Sequence, residues 1–159
     1  MKVVGIIAEY NPFHNGHKFH MEQARMLTGA DYVIVVMSGN FTQRGNPALV
    51  DKYTRTRMAL DAGADLVIEL PVYYACTSAE FFAKGAISLL DKLGVVDSIC
   101  FGSECGDISV LTQIASVLHH ESDEFKVILK SYLKEGKTFP QARTLALEAT
   151  IRDFAGNSS

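Results

Sequence analysis

Two imidazoles three positions apart, His14 and His17, with Gly16 between them, are the residues of this chain best suited to chemistry. They follow an apolar run, Val3 to Ala8, and a turn-forming stretch, Glu9-Tyr10-Asn11-Pro12-Phe13, and they precede a stretch with helical spacing. A strand, a tight turn and a helix start in immediate succession set both rings beside unpaired backbone N–H groups at the positive end of a helix. Such a corner suits nucleotide phosphates. Gly16 lets the backbone approach a bulky anion without a side chain in the way. If His17 opens the helix, both rings face α- and β-phosphates. Attack at the α-phosphorus places charge on equatorial oxygens and on departing pyrophosphate. Aligned N–H donors that strengthen in the transition state would lower that barrier, each by roughly 3 kcal/mol by analogy with an oxyanion donor.

The alternatives are that the rings cap a turn or bind a metal, since His14, His17 and His20 share one spacing. The strand-turn-helix context favours phosphate. No G-K-[ST] follows, and the G-x-G-x-x-G fingerprint is absent, so neither common phosphate loop is present.

Positioning these rings requires a sheet. Val3 to Ala8, Tyr32 to Met37, Leu66 to Leu70 and Ser98 to Phe101 read as parallel strands, and their Val and Ile content without polar alternation predicts cover on both faces. Helical spacing runs from Lys18 to Leu27, Leu49 to Ala62 and Ala79 to Leu93. Thr28-Gly29-Ala30-Asp31, Ala62-Gly63-Ala64-Asp65 and Leu93-Gly94-Val95-Val96-Asp97 each set a glycine after a helix and an aspartate before a strand. Alternating strand and helix predicts an α/β, doubly wound parallel sheet. Beyond Phe101, Ile108 to Leu118, Glu124 to Leu133 and Gln141 to Glu148 read as helices, and a polar tail, Gly156-Asn157-Ser158-Ser159, follows.

The 159 residues, 48% hydrophobic, suffice for one main core. A net charge of -3 carries no global basic signature for gripping a nucleic-acid backbone. Cys76, Cys100 and Cys105 are odd in number and lack a C-x-x-C spacing, which argues against a disulfide framework and a zinc site and makes the cytoplasm the natural compartment. The short first apolar run, broken by Glu9, reads as a strand and not as a signal peptide, and no segment approaches transmembrane length, so no membrane is expected.

His14-Asn15-Gly16-His17 after a first strand resembles the H-x-G-H motif of the nucleotidylyltransferase superfamily, which includes class I aminoacyl-tRNA synthetases. The longer string Ala8 to His17 is similar to that of the tRNA(Met) cytidine acetate ligase family. So are Ser38-Gly39-Asn40-Phe41-Thr42-Gln43-Arg44-Gly45, Asp65-Leu66-Val67-Ile68-Glu69-Leu70-Pro71 and Phe101-Gly102-Ser103-Glu104. The resemblance implies a Rossmann-like nucleotidylyltransferase fold, with an ATP-binding core over 1–105 and a helical extension over 106–159. It implies activation of acetate by ATP to acetyl-adenylate, then acetyl transfer to N4 of the wobble cytidine of elongator tRNA(Met), with Mg2+ as cofactor. The family's nucleotide segment falls on Ile7, Ala8, Glu9, Tyr10, Asn11, Pro12, Phe13, His14, Asn15, Gly16, His17, Lys18, Phe19 and His20, with further contacts at Gly102 and Asn157. Around Asn157, Gly156, Ser158 and Ser159 differ from the family's asparagine-rich block. The family is also longer, with a second phosphate-binding block and a C-terminal region that helps hold tRNA.

After the second strand, at the sheet edge where ligands collect, Asn40, Gln43 and Arg44 are expected at the substrate. Arg44 joins the histidines in catalysis, its planar fork suited to acetate or phosphate; a solvated loop arginine is the alternative. Lys18 either reaches phosphate or lies exposed on the first helical turn. Lys52, Arg55 and Arg57 are expected to solvate an outer helix face, with a basic strip for tRNA as the other reading. Glu69 and Glu104 are candidates for ribose hydroxyls or magnesium, against simple loop hydrogen bonding. Tyr73 and Tyr74, beside Cys76, are expected to be buried packing, with the lining of a base pocket as the other reading, and His119-His120 a charge at a helix end. The chemical rivals are an adenylyltransferase acting on a phosphorylated cofactor precursor and a non-catalytic ATP- or RNA-binding module.

Overall fold

Runs of Val and Ile become strands because β-branched side chains fit a pleated surface covered on both faces. The computed structural model describes residues 1–103 and 106–156, with side chains in the last helix described as far as Ile151. Its first compact unit ends at Gly102 and its second begins at Ser103, whereas the sequence reading set the division after residue 105.

The first unit runs β1 (Val3–Ala8), α1 (Asn15–Thr28), β2 (Tyr32–Ser38), α2 (Lys52–Asp61), β3 (Leu66–Leu70), α3 (Val72–Ala75), α4 (Ala79–Lys92) and β4 (Ser98–Cys100). All pairings are parallel, in the order β3-β2-β1-β4. Alternate residues of β2 separate the two faces. Val33, Val35 and Met37 join Met21 and Ala24 of α1 and Ala59 of α2 on one side. Ile34 and Val36 join Ala75, Ala86 and Leu90 from α3 and α4 on the other. The chain order reverses at β1, whose neighbours are β2 and β4, and this reversal opens a crevice at the carboxyl ends of β1 and β4. Gly5 is required where α4 crosses β1, because a Cβ there would lie 2.8 Å from a methyl carbon of Leu90.

The three glycine-aspartate corners share one device. Asp31 accepts the Lys2 N–H at 2.8 Å, Asp65 that of Val33 at 2.7 Å and Asp97 that of Val3 at 2.7 Å. In each case the aspartate's own N–H donates back to the carbonyl of the same residue or its direct counterpart, Lys2, Val33 and Val3. Each carboxylate thus satisfies a donor at the amino end of an adjoining strand, while Gly29, Gly63 and Gly94 turn with positive φ.

Some expectations are corrected. The edge strands β3 and β4 are only partly covered, Leu66 being 44% exposed, because each has a neighbour on one side alone. Helix α1 begins at Asn15, three residues before the expected start, because His14 supplies the cap. A short α3 occupies Val72–Ala75, a stretch with no predicted element.

The second unit contains α5 (Ile108–His119), α6 (Asp123–Lys134) and α7 (Phe139–Gly156). Among its described residues, Phe125, Ala142 and Ala146 are fully buried. Among the described residues, no helix is long and apolar enough to cross a membrane.

Candidate functional site

The chain leaves β1 through a constrained turn. Tyr10 has φ 50°, a left-handed conformation uncommon outside glycine and asparagine, and its ring is 2% exposed. That ring meets Phe13 edge-on and His17 tilted, each at a centroid distance of 4.8 Å. Burial pushes its phenol up to about 12, and its hydroxyl has no partner among the described residues. Asn11 ties this turn to the next loop by accepting the Leu49 N–H at 2.7 Å.

The two histidines then cap the helix reciprocally. His14 Nδ1 accepts the Gly16 N–H at 3.1 Å, and His17 Nδ1 accepts the His14 N–H at 3.3 Å. A nitrogen that accepts carries no proton, so both neutral rings hold their proton on Nε2. The rings stack at 3.7 Å with 25° between planes. Burial first, then the charges of His14 and His20, lower the His17 pKa; burial lowers that of His20. The expected set of unpaired backbone donors is therefore reduced. The Gly16 amide is engaged by the His14 ring and the His17 amide by the His14 carbonyl at 2.9 Å, so the Asn15 amide and the two imidazole Nε2–H groups remain as donors at this corner. Gly16 also gains a second reason: a Cβ there would lie 3.0 Å from His14 Cε1.

These rings line a cleft of about 470 Å³ together with Ile7, Ala8, Glu9, Tyr10, Asn11, Pro12, His20 and Gly102. That volume is within the range of small-molecule sites. Five other residues of the expected nucleotide segment lie off its wall. Phe13 packs against Tyr10 and His17, Asn15 and Gly16 form the first helical turn, Lys18 faces Glu22 at 4.0 Å, and Phe19 is 61% exposed. Asn157, Glu104 and Cys105 are outside the described residues. His20 of the cleft wall has its Nε2 3.6 Å from Cys100 Sγ. Burial raises the thiol and lowers the imidazole, so the pair is neutral and the sulfur is no activated nucleophile. Among the described residues, no group of three or more His, Cys, Asp or Glu side chains is placed to hold a metal ion.

The loop after β2 is joined to the cleft through Glu9, whose carboxylate accepts the Gln43 N–H. The Gln43 side-chain amide donates to the Thr77 carbonyl, so this residue braces the loop. Asn40 and Arg44 are exposed, and Arg44 makes no hydrogen bond or ion pair among the described residues. Glu69 is engaged by Lys52 at 2.6 Å. Tyr73 and Tyr74, both expected to be buried, are 85% and 42% exposed, although the Tyr74 ring lies against Gly85.

The largest departure is Arg55. Expected on the solvated face of α2, it is 0% exposed, and its guanidinium donates to the carbonyls of Val50, Glu9, Ser38 and Gly39. The sequence did contain the signal, since Arg55 stands one turn before the core residue Ala59.

Comparison with known proteins completes this description. The model of the HIGH Nucleotidyl Transferase family matches residues 1–158. The tRNA(Met) cytidine acetate ligase of Caldicellulosiruptor bescii is 58% identical over 161 residues, covering 99% of this chain and 40% of the relative. That of Clostridium perfringens is 57% identical over 153 residues, covering 96% and 38%. The crystal structure of Thermotoga maritima TmcAL bound with alpha-thio ATP superposes with a TM-score of 0.88 at 49% identity, covering 99% of this chain and 37% of that one. The chain thus spans about 40% of the length of the curated relatives it matches.

Proposed function

The chain belongs to the HIGH Nucleotidyl Transferase family, and from that premise we propose that it is the ATP-activating part of a tRNA(Met) cytidine acetate ligase acting in the cytoplasm. ATP occupies the cleft, against Ile7 to Pro12, His14, His17, His20 and Gly102. The observation that carries this reading is the stacked pair His14 and His17, each anchored through Nδ1 so that Nε2–H is left for an anion on the cleft wall.

In the first step a carboxylate oxygen of acetate attacks the α-phosphorus. The new O–P bond forms as the bond from the α-phosphorus to the oxygen bridging to the β-phosphorus breaks, and pyrophosphate leaves with that oxygen's electron pair. Charge grows on the oxygens facing the imidazoles, where preorganised donors each contribute roughly 3 kcal/mol to barrier lowering. Neutral rings suffice for this work. Arg44, free in the loop after β2, holds the acetate carboxylate, with Asn40 beside it and Gln43 bracing the loop. In the second step N4 of the wobble cytidine of elongator tRNA(Met) attacks the acetyl carbonyl carbon, the bond from that carbon to the phosphate oxygen breaks, AMP departs with the electron pair, and N4 loses one proton to solvent.

A magnesium ion accompanying the triphosphate would screen its charge. The donor set fits such an ion: Glu9 is the carboxylate on the cleft wall, one of its oxygens holding the Gln43 N–H and the other available, and magnesium needs only one or two carboxylates beside phosphate oxygens. Glu69 is paired with Lys52 and is not assigned to the ion.

Exchange of labelled pyrophosphate into ATP tests the reading, measured in a protein in which this chain is continued by the remainder of a longer relative. Acetate should support exchange, while phosphopantetheine and nicotinamide mononucleotide should not. Exchange driven by either precursor would assign a different adenylyltransferase, and ATP binding with no exchange under any condition would leave a binding module.

A further inference from the structure

We propose that Arg55 is a positioning residue for the nucleotide cleft, holding the carbonyl ends of β1 and β2 and, through Glu9 and Tyr10, the ring of His17; the proposal rests on the ATP reading above. Its Nε donates to Val50 O at 2.9 Å, one Nη to Glu9 O at 2.6 Å and Ser38 O at 3.1 Å, and the other Nη to Gly39 O. Four carbonyls from three chain segments converge on one planar fork, and no carboxylate pairs with it among the described residues. A buried cation without an ion partner is costly, so the surrounding fold must be arranged to favour it. Burial lowers its pKa from the usual value, and the carboxylates of Asp51, Glu9 and Glu69 act in the opposite sense.

Two consequences reach the cleft. The Glu9 carbonyl belongs to the peptide that enters Tyr10, whose left-handed backbone sets the ring that packs on His17. Fixing that peptide therefore fixes one wall of the His17 imidazole. The second consequence is electrostatic. Carbonyl oxygens at the carboxyl ends of parallel strands carry partial negative charge facing a site meant for a polyanion. Arg55 turns three of them toward itself and sets a positive charge behind Glu9 of the cleft wall, where it offsets those carbonyls and part of the negative charge of the Glu9 carboxylate.

The test uses Arg55→Met, which removes charge and fork but keeps most of the stem, and Arg55→Lys, which keeps charge without the fork. Calorimetric titration of the 159-residue chain with ATP and with AMP is combined with imidazole 15N spectra of the nucleotide-free protein. Arg55→Met should weaken ATP by about 10-fold or more and AMP by less than about 3-fold, since the more charged ligand feels the field more. Its His17 signals should move. Arg55→Lys should recover part of the ATP loss without restoring those signals. Parallel loss for both nucleotides with unmoved His17 signals, or unfolding of both variants, overturns the proposal. If the unsubstituted chain binds no ATP, the nucleotide reading fails instead, and the His17 signals alone decide whether Arg55 positions the ring.

Discussion

His14 and His17 cap one another: each ring accepts a backbone N–H through Nδ1, from Gly16 and from His14, and the two rings stack at 3.7 Å. The same bonds that start α1 therefore choose the tautomer of both imidazoles. Folding and donor placement are one arrangement, and substitutions can separate them.

His14→Ser keeps an efficient cap and removes the Nε2–H donor. Serine caps helices well, so the thermal midpoint should stay within a few degrees, while pyrophosphate exchange should fall about 100-fold, the equivalent of roughly 3 kcal/mol. Retained exchange at an unchanged midpoint would limit His14 to capping.

Gly16→Ala should split stability from activity in the same direction. Alanine favours the helix by up to about 1 kcal/mol over glycine. Its Cβ, however, would come within 3.0 Å of His14 Cε1 and displace that ring. Denaturation by urea should show equal or higher stability, and ATP affinity should drop about 10-fold. A variant both as stable and as tight as the original would contradict the crowding argument.

The pH dependence follows from His17, which burial and then the charges of His14 and His20 hold below the usual 6.5. The unfolded chain binds that proton more readily, so the neutral ring's contribution to stability is complete above 6.5 and is lost as pH falls through the lower folded value. His20, lowered by burial, adds an effect of the same sign. Urea midpoints between about pH 7.5 and 5 should decline toward acid, less steeply in His17→Gln. Parallel slopes in the two proteins would remove His17 from the cause.

Asp97→Ala should leave the Val3 N–H without its 2.7 Å acceptor and loosen the start of β1. A loss of about 1 to 2 kcal/mol is expected, read from urea unfolding with an unchanged slope. An unaltered midpoint would mean that water replaces the carboxylate.

Much of this molecule could be read from local chemistry. Val and Ile runs marked β1 and β2, glycine and aspartate marked the corners, and a turn between strand and helix marked the histidine pair, because each depends on residues close in sequence. Arg55 escaped for a different reason. Its position one turn before Ala59 placed it on the inward stripe, but a charged side chain argues for solvent unless acceptors are supplied, and here they come from Glu9, Ser38 and Gly39, remote in the chain. Likewise the bond from Gln43 to Glu9 spans two loops that meet only once β1 and β2 are paired. Exposure of Leu66 depended on strand order, which spacing along the chain does not specify.

The most direct measurement is a titration of the 15N-labelled chain with ATP, following the side-chain nitrogens of His14 and His17. The account predicts that both Nε2 signals shift on binding while both Nδ1 signals keep the signature of hydrogen-bond acceptors. Saturation with ATP that leaves the Nε2 signals unmoved, or that moves the proton to Nδ1, would contradict it.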